Sequence, residues 1–174
     1  MHGLLAEREA TVAVAESLTG GLVGARLTAM PGSSATFAGG VIAYATPLKH
    51  ALLGVPEDLL AAHGAVHPDV AVAMAQGVRE RLGASYGLAV TGVAGPEPQD
   101  GHPVGTVHVA VADSGGVVAT RSPALPVPAD GERARSIVRE MTVVHALDLL
   151  RRVMLGLEGS DPWPGWAEDR EEPG

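Results

Sequence analysis

The stretch "TVAVAESLTGGLVGARLTAM" (residues 11–30) carries the clearest indication of fold class in this sequence. Its first part, "TVAVA" (11–15), is short, apolar and rich in β-branched residues, which is typical of a buried strand. Further along, Leu22, Ala25 and Ala29 recur at the spacing of a helix face. Polar residues and glycines separate the two parts. The stretch therefore predicts a strand, a tight turn and a helix in direct succession.

The same alternation continues along the chain. "AGGVIAYA" (38–45) and "YGLAVTG" (86–92) are predicted to be buried strands. A longer helix is predicted to start at Pro68 and to end before Gly83, because proline suits a first turn and glycine suits the position after a last one. Two short helices, each opened by a proline, are predicted at "PLKHALLGV" and "PEDLLAAHG".

The C-terminal part of the chain indicates how the sheet is completed. "TVHVAVAD" and "VVATRSPAL" flank Ser114, Gly115 and Gly116, and this arrangement predicts a hairpin. A last long helix is predicted to begin near Asp130. Together these elements predict a three-layer α/β/α sandwich whose sheet of about five strands is mixed but mostly parallel, with one antiparallel member.

Composition and charge set the limits of the domain. A chain of 174 residues with 46% hydrophobic residues can bury one core of ordinary size, which we assign to residues 1–155. The formal net charge is −8, and most of it lies in residues 156–174. This segment is rich in proline, glycine and acidic residues, so we expect a disordered acidic tail. The absence of cysteine excludes disulfides and thiolate metal sites.

Several classes of function are disfavoured by the same inspection. No basic run is present, so a nucleic-acid partner is not expected. No segment reaches the roughly 18 apolar residues that span a bilayer, and the chain start lacks a signal-peptide pattern, so we expect no membrane partner and a cytoplasmic location. His63 and His67 have the spacing of a helical metal pair, but Gly64 and Pro68 place them beside a loop. No metal site is expected.

Three clusters of polar residues and glycines follow predicted strands: "AESLTGG" (15–21), "AYATPLK" (43–49) and "VTGVAGP" (90–96). The carboxyl ends of parallel strands lie at one edge of a sheet, where active sites of this fold class form. We therefore expect the three clusters to meet in one cleft.

Ser17 is the candidate nucleophile of the first cluster. It leaves the strand just before a helix start, where free N–H groups can stabilise negative charge on an oxyanion or a phosphate. Thr19, Gly20 and Gly21 are the candidate ligand-binding residues of this turn. An equally good alternative is that Ser17 or Thr19 simply caps the helix.

Lys49 is the only lysine of a chain that otherwise uses arginine at its basic positions. An amine can lose its charge on burial and then accept a proton, whereas a guanidinium cannot, so Lys49 is a candidate general base for Ser17. A chance surface lysine is the alternative. Tyr44, at the end of the second strand, is either a site residue whose hydroxyl reaches the cleft or a tyrosine at the edge of the core.

The remaining candidates concern ligand binding. Thr91, Gly92 and Gly95 form a loop whose backbone can approach a ligand closely, although a plain tight turn explains them as well. Arg135 and Arg139 lie four residues apart on one helix face and could clamp a phosphate. A solvated charged face is the alternative interpretation.

Taken together, five stretches in this order closely resemble the CinA C-terminal domain family: "AESLTGG", "PGSSATFAGGVIAYATPLK", "LLGVPEDLLAAHGAV", "AVTGVAGP" and "PVGTVHVAVA". The resemblance covers roughly residues 11–150. It implies an α/β/α sandwich and an amidase that converts nicotinamide mononucleotide to nicotinic acid mononucleotide and ammonia, without a metal or an organic cofactor. It also implies a stand-alone form, because the large N-terminal domain of full-length members is not in the sequence.

The resemblance assigns roles residue by residue. Ser17 would be the nucleophile and Lys49 its base, while Tyr44 and Thr91 would orient or stabilise the reacting groups. The ligand phosphate would be held by Arg135 and, less directly, by Arg139. The expected partner is a small nucleotide substrate, and a homodimer or a higher homo-oligomer is possible.

The sequence departs from the family pattern at three places. Leu18 stands where the family often has cysteine, and Ala45-Thr46 replaces a common Ser-Asn pair. The family's Gly-Asp-Arg matches either residues 131–133 or a register with Arg135 in the arginine slot, which we favour. Two rivals to an amidase therefore stay open: a catalytically silent nucleotide-binding or regulatory module, and an interaction protein that uses its acidic tail.

Overall fold

The computed structural model describes residues 1–123, 125–128 and 130–157. The predicted acidic tail, apart from its first two residues, lies outside this part of the chain. In chain order the elements are α1 (His2–Glu7), β1 (Val12–Glu16), α2 (Leu22–Thr28), a 3₁₀ turn (Ser33–Ala35), β2 (Phe37–Ile42), α3 (Thr46–Leu53), α4 (Glu57–His63), α5 (Pro68–Leu82), β3 (Tyr86–Gly92), β4 (Val107–Asp113), β5 (Gly116–Arg121) and α6 (Gly131–Leu155).

The five strands form one sheet in the order β2-β1-β3-β4-β5. β1 pairs in parallel with both β2 and β3, whereas β3–β4 and β4–β5 are antiparallel. Strand β4 therefore runs against the other four. This confirms the prediction of a mixed, mostly parallel sheet with one antiparallel member.

The alternation of residue sizes along the strands separates two cores. Val12 and Val14 of β1 face a cluster built with α1, α2 and α6. Ala13 and Ala15 point to the other face, where a second cluster includes residues of α3 and α5. Successive strand side chains point to opposite faces, so "TVAVA" supplies one residue type to each layer. The result is the predicted three-layer sandwich.

Small residues let α5 lie close to the sheet. A Cβ atom added to Gly87 of β3 would lie 2.0 Å from the main-chain oxygen of Ala75 in α5. A Cβ on Gly77 would lie 1.8 Å from the main-chain oxygen of Leu53. No side chain fits at such distances, so these two positions require glycine for packing rather than for backbone conformation.

Most element predictions are confirmed, including the extent of β3, the hairpin, and the start and end of α5 at Pro68 and before Gly83. The prediction for β2 is wrong in two respects, its end and its burial. β2 is an edge strand that ends at Ile42 and alternates half-buried and exposed residues, because it has a neighbour on one side only. Helix α1 was not predicted. None of the helices in the described ranges is long and apolar enough to cross a membrane.

Candidate active site

The loops that follow β1, β2 and β3 meet at one edge of the sheet and enclose a cavity of about 80 Å³. This is the edge that the parallel strand arrangement predicts. Seven of the predicted site residues line the cavity: Ser17, Tyr44, Lys49, Thr91, Gly92, Gly95 and Arg135. The other four, Thr19, Gly20, Gly21 and Arg139, are not among its lining residues.

Lys49 and Ser17 are in direct contact. The lysine Nζ lies 3.1 Å from Ser17 Oγ, and it also lies 2.8 Å from the main-chain oxygen of Ala43 and 3.4 Å from that of Tyr44. Lys49 is completely buried. It sits in the first turn of α3, which begins just after the chain leaves β2. The three oxygens match the three protons of an ammonium group.

Burial changes the acid–base behaviour of Lys49. It lowers the pKa of this amine from 10.5 to about 8, because a charged group loses its water of solvation. The carboxylate of Asp100 opposes this effect and raises the pKa. At pH 7 about one amine in ten is therefore neutral and able to accept a proton. An ordinary surface lysine would present far less of this form.

The start of α2 is occupied by a carboxylate of the chain itself. Glu16 is buried, and its side chain accepts hydrogen bonds from the main-chain N–H groups of Gly21, Val23 and Gly24 at 2.8–3.1 Å. The sequence interpretation expected the same helix end to bind a substrate oxyanion or phosphate. That expectation requires correction, because these N–H groups already stabilise the charge of Glu16.

Arg139 supports the Ser17 turn from outside the cavity. Its guanidinium donates to the main-chain oxygens of Leu18 and Thr19 at 3.1 and 2.8 Å. This geometry differs from the predicted phosphate clamp, since these two N–H groups already bind the backbone. The Thr19 hydroxyl is buried, with no hydrogen-bond partner in the described part of the chain. Gly20 and Gly21 adopt positive φ angles of 59° and 102° as the chain enters α2.

Arg135 reaches the cavity although it lies one helical turn from Arg139. It donates to the main-chain oxygen of Gly95 at 2.5 Å and to the hydroxyl of Tyr44 at 3.0 Å. The ring of Tyr44 is largely exposed rather than packed. Arg133 is exposed and does not line the cavity, so of these two arginines the structure brings Arg135 to the site.

Thr91 makes a hydrogen bond to a distant part of the chain, which no sequence pattern predicts. Its buried hydroxyl donates to the main-chain oxygen of Ala65 at 2.6 Å, which joins the end of β3 to the segment between α4 and α5. Ala65 and Val66 of this segment also line the cavity. Thr91 thus holds a wall of the site.

His63 and His67 are the two histidines with the spacing of a metal pair. No group of three or more potential metal ligands is found among the described residues. The rings of His63 and His67 stack with centroids 4.2 Å apart, and the His67 ring accepts a hydrogen bond from the N–H of Asp69 at the start of α5.

Two residues next to the site were missed by the sequence interpretation as contributors. No pattern in the sequence gave a reason to expect that Glu16 caps α2. Asp100 was not considered at all. The dipeptide Asp100-Gly101 is a known signal of a tight hairpin turn and could have drawn attention to this loop.

Known proteins resemble this chain over most of its length. A sequence profile described as the CinA C-terminal domain matches residues 1–154. The chain is 57% identical over 159 residues to a CinA-like protein of Frankia casuarinae, covering 91% of this chain and 35% of that protein. It is 50% identical over 153 residues to a CinA-like protein of Parasynechococcus marenigrum, with coverages of 87% and 35%. The chain thus spans about a third of the length of these curated relatives.

Solved structures show the same fold. The competence/damage inducible protein CihA from Agrobacterium tumefaciens superimposes with a TM-score of 0.77 at 34% identity, covering 87% of this chain and 94% of that one. A CinA superfamily protein from Enterobacter cloacae gives a TM-score of 0.79 at 27% identity, with coverages of 89% and 86%. The fold, the sequence match and the order of the site motifs together show that this chain belongs to the CinA C-terminal domain family.

Proposed function

We propose that this chain is an amidohydrolase that converts nicotinamide mononucleotide to nicotinic acid mononucleotide and ammonia. One observation carries the proposal: a fully buried amine with a pKa of about 8 lies 3.1 Å from the hydroxyl of Ser17 in a cavity. Such a pair of hydroxyl and amine is the arrangement that a serine nucleophile with a lysine base needs. The family resemblance supplies the identity of the substrate.

In the first step the neutral amine of Lys49 takes the proton of Ser17. The serine oxygen attacks the carboxamide carbon, and the carbonyl oxygen becomes an oxyanion. The new ammonium group keeps the main-chain oxygens of Ala43 and Tyr44 as acceptors, which stabilises its charge. The oxyanion would be bound by N–H groups of the turn after Ser17 or of the loop after β3, since those of Gly21, Val23 and Gly24 bind Glu16.

In the second step the ammonium of Lys49 returns its proton to the substrate nitrogen. The carbon–nitrogen bond breaks, ammonia leaves, and the acyl group remains on Ser17. Water then attacks the ester while Lys49 takes a proton from it, and the serine oxygen departs and is protonated again. The acid product and the free enzyme result, so a single base serves both halves of the reaction.

The ligand phosphate would be held by Arg135 at the cavity mouth. Two of its five N–H donors are used by Gly95 and Tyr44, so three N–H groups are left for phosphate oxygens. Tyr44 would orient this guanidinium through its hydroxyl. Arg139 is assigned a supporting role instead, because it holds the main-chain oxygens that follow Ser17.

The deciding experiment measures ammonia released from nicotinamide mononucleotide by the purified chain. We expect turnover by the wild type and none by Ser17→Ala, whereas Ser34→Ala, an exposed serine outside the cavity, should retain full activity. Nicotinic acid mononucleotide should form in equal amount. Saturable binding of the nucleotide without ammonia would overturn the amidase and favour the silent nucleotide-binding module.

A further inference from the structure

The loop between β3 and β4 carries a tight two-residue turn, which directly follows the cavity-lining residue Gln99. Gln99 and His102 exchange two main-chain hydrogen bonds of 3.1 and 2.8 Å. Between them, Asp100 and Gly101 have φ angles of 52° and 79°. Two successive residues with positive φ define the tight turn for which Asp-Gly is a preferred sequence. The turn therefore fixes the backbone from which the Asp100 side chain projects.

The Asp100 carboxylate contacts the segment that forms one wall of the cavity. Its Oδ2 accepts a hydrogen bond from the N–H of Ala65 at 3.3 Å. A Cβ atom on Gly64 would lie 2.9 Å from the same oxygen, so the contact depends on the absence of a side chain there. Because the main-chain oxygen of Ala65 accepts from Thr91, this residue is held from both sides.

Asp100 also affects the acid–base behaviour of Lys49, one of the residues that line the cavity. Its carboxylate raises the pKa of Lys49 while burial lowers it. Besides Lys49, the charged side chains that line the cavity are Glu97 and Arg135, and the phenol of Tyr44 lies there as well. Three titratable rings adjoin the wall and the turn: His63, His67 and His102.

We propose that Asp100 is a positioning residue of this site, whose carboxylate holds the Gly64–Val66 wall in place and applies negative charge to the Lys49 amine. As a statement about catalysis, the inference rests on the proposed function. The carboxylate keeps the amine basic enough to take a proton from Ser17 while burial keeps part of it neutral.

The first test uses Asp100→Asn, which keeps an acceptor oxygen for Ala65 and removes the charge. Asparagine tolerates the left-handed backbone, so the turn should be retained. Because Lys49 is the only lysine, carbon-13 labelling at lysine Cε gives one NMR signal, and its titration reports this amine alone. We expect the midpoint to fall by about 0.5 pH unit in the variant.

Asp113→Asn is the matched control. Asp113 also accepts a main-chain N–H bond, from Gly115, but it lies at the end of β4, next to the start of β3 and away from the cavity. Its substitution should leave the Lys49 midpoint unchanged. An Asp100→Asn midpoint equal to that of wild type would overturn the electrostatic part of the proposal.

The second test concerns the wall and uses Asp100→Ala in the full chain. Loss of the acceptor should speed hydrogen exchange of the Ala65 amide at least about tenfold, with no such change in Asp113→Ala. Unchanged Ala65 exchange would overturn the positioning role. The Lys49 titration and the Ala65 exchange are both measured without substrate. If the chain releases no ammonia but both measurements change as expected, the amidase is refuted and the role of Asp100 in the site still holds.

Discussion

The site depends on Lys49, an amine whose burial costs free energy. An amine loses its hydration inside a protein, and the pKa of Lys49 falls to about 8 for that reason. Partial compensation comes from three oxygen atoms, those of Ser17, Ala43 and Tyr44. A group held at such a cost, beside a hydroxyl and in a cavity, is typical of a functional site.

The most direct prediction at this scale is the effect of Lys49→Arg. A guanidinium stays protonated at any working pH, so it cannot take the proton of Ser17. We expect the release of ammonia from nicotinamide mononucleotide to fall at least about a thousandfold. Circular dichroism and thermal unfolding should show that the variant is folded. Substantial activity in a folded Lys49→Arg protein would contradict the role of Lys49 as base.

At the scale of elements, the turn from β1 into α2 combines two functions. Glu16 stabilises the first turn of α2 through three N–H bonds, and the next residue is the proposed nucleophile. The buried carboxylate thus fixes where the chain leaves the strand, and hence where Ser17 lies.

Glu16→Gln tests this cap. The amide keeps one acceptor oxygen but loses the charge, and we expect the free energy of unfolding to fall by about 1–3 kcal/mol. Urea denaturation measures the change. Glu140→Gln is the comparison, because Glu140 forms an exposed pair with Arg26 at 3.1 Å and should cost less than about 1 kcal/mol. Equal effects of the two substitutions would refute the cap.

The close contact of α5 with β3 gives a second prediction at this scale. In Gly87→Ala the new methyl group would lie 2.0 Å from the main-chain oxygen of Ala75, which cannot rotate away. We expect a loss of at least about 3 kcal/mol in stability, or failure to fold. Gly3→Ala in α1 has open space around the added methyl and should raise stability by about 0.5–1 kcal/mol. Thermal unfolding measures both changes. A lower midpoint for Gly87→Ala with a higher one for Gly3→Ala would show that close packing, and not helix propensity, requires glycine at position 87.

At the scale of the whole molecule, burial of Lys49 couples folding to pH. The unfolded chain holds this proton up to pH 10.5, whereas the folded chain releases it at about 8. Between these values the unfolded state binds more protons, so folded-state stability rises with pH. The contribution is fully present above pH 10.5 and is lost as the pH falls through about 8.

Lys49→Met isolates this contribution, since methionine has a similar shape and does not titrate. From pH 8 to 10.5 the wild type should gain about 3 kcal/mol of unfolding free energy relative to the variant. Parallel stability curves for the two proteins across this range, measured by urea denaturation, would refute the burial-induced shift.

The sequence predicted features that depend on neighbouring residues, and apart from the meeting of the strand ends it did not predict contacts between distant positions. The limits of β3 and α5 follow from short patterns and end signals, and the strand-end argument correctly brought Ser17 and Lys49 together. Solvent exposure of β2 could not be predicted, because its composition is that of a buried strand. The spacing of Arg135 and Arg139 predicted that they share a helix face. It did not predict that Arg135 contacts Gly95 and Tyr44 while Arg139 contacts the turn after Ser17. The bond between Asp100 and Ala65 joins positions 35 apart and has no periodic signature.

The position of β2 at the rim of the sheet has a mechanical consequence. Ser17 follows β1, which is bonded to strands on both sides, whereas Lys49 follows β2, which is bonded to β1 alone. Detaching a rim strand breaks one row of hydrogen bonds, and detaching an inner strand breaks two. The proposed nucleophile therefore follows a strand that is held on two sides, and its base follows a strand that is held on one. Local opening of the sheet at β2 is expected to disturb the position of Lys49 before that of Ser17.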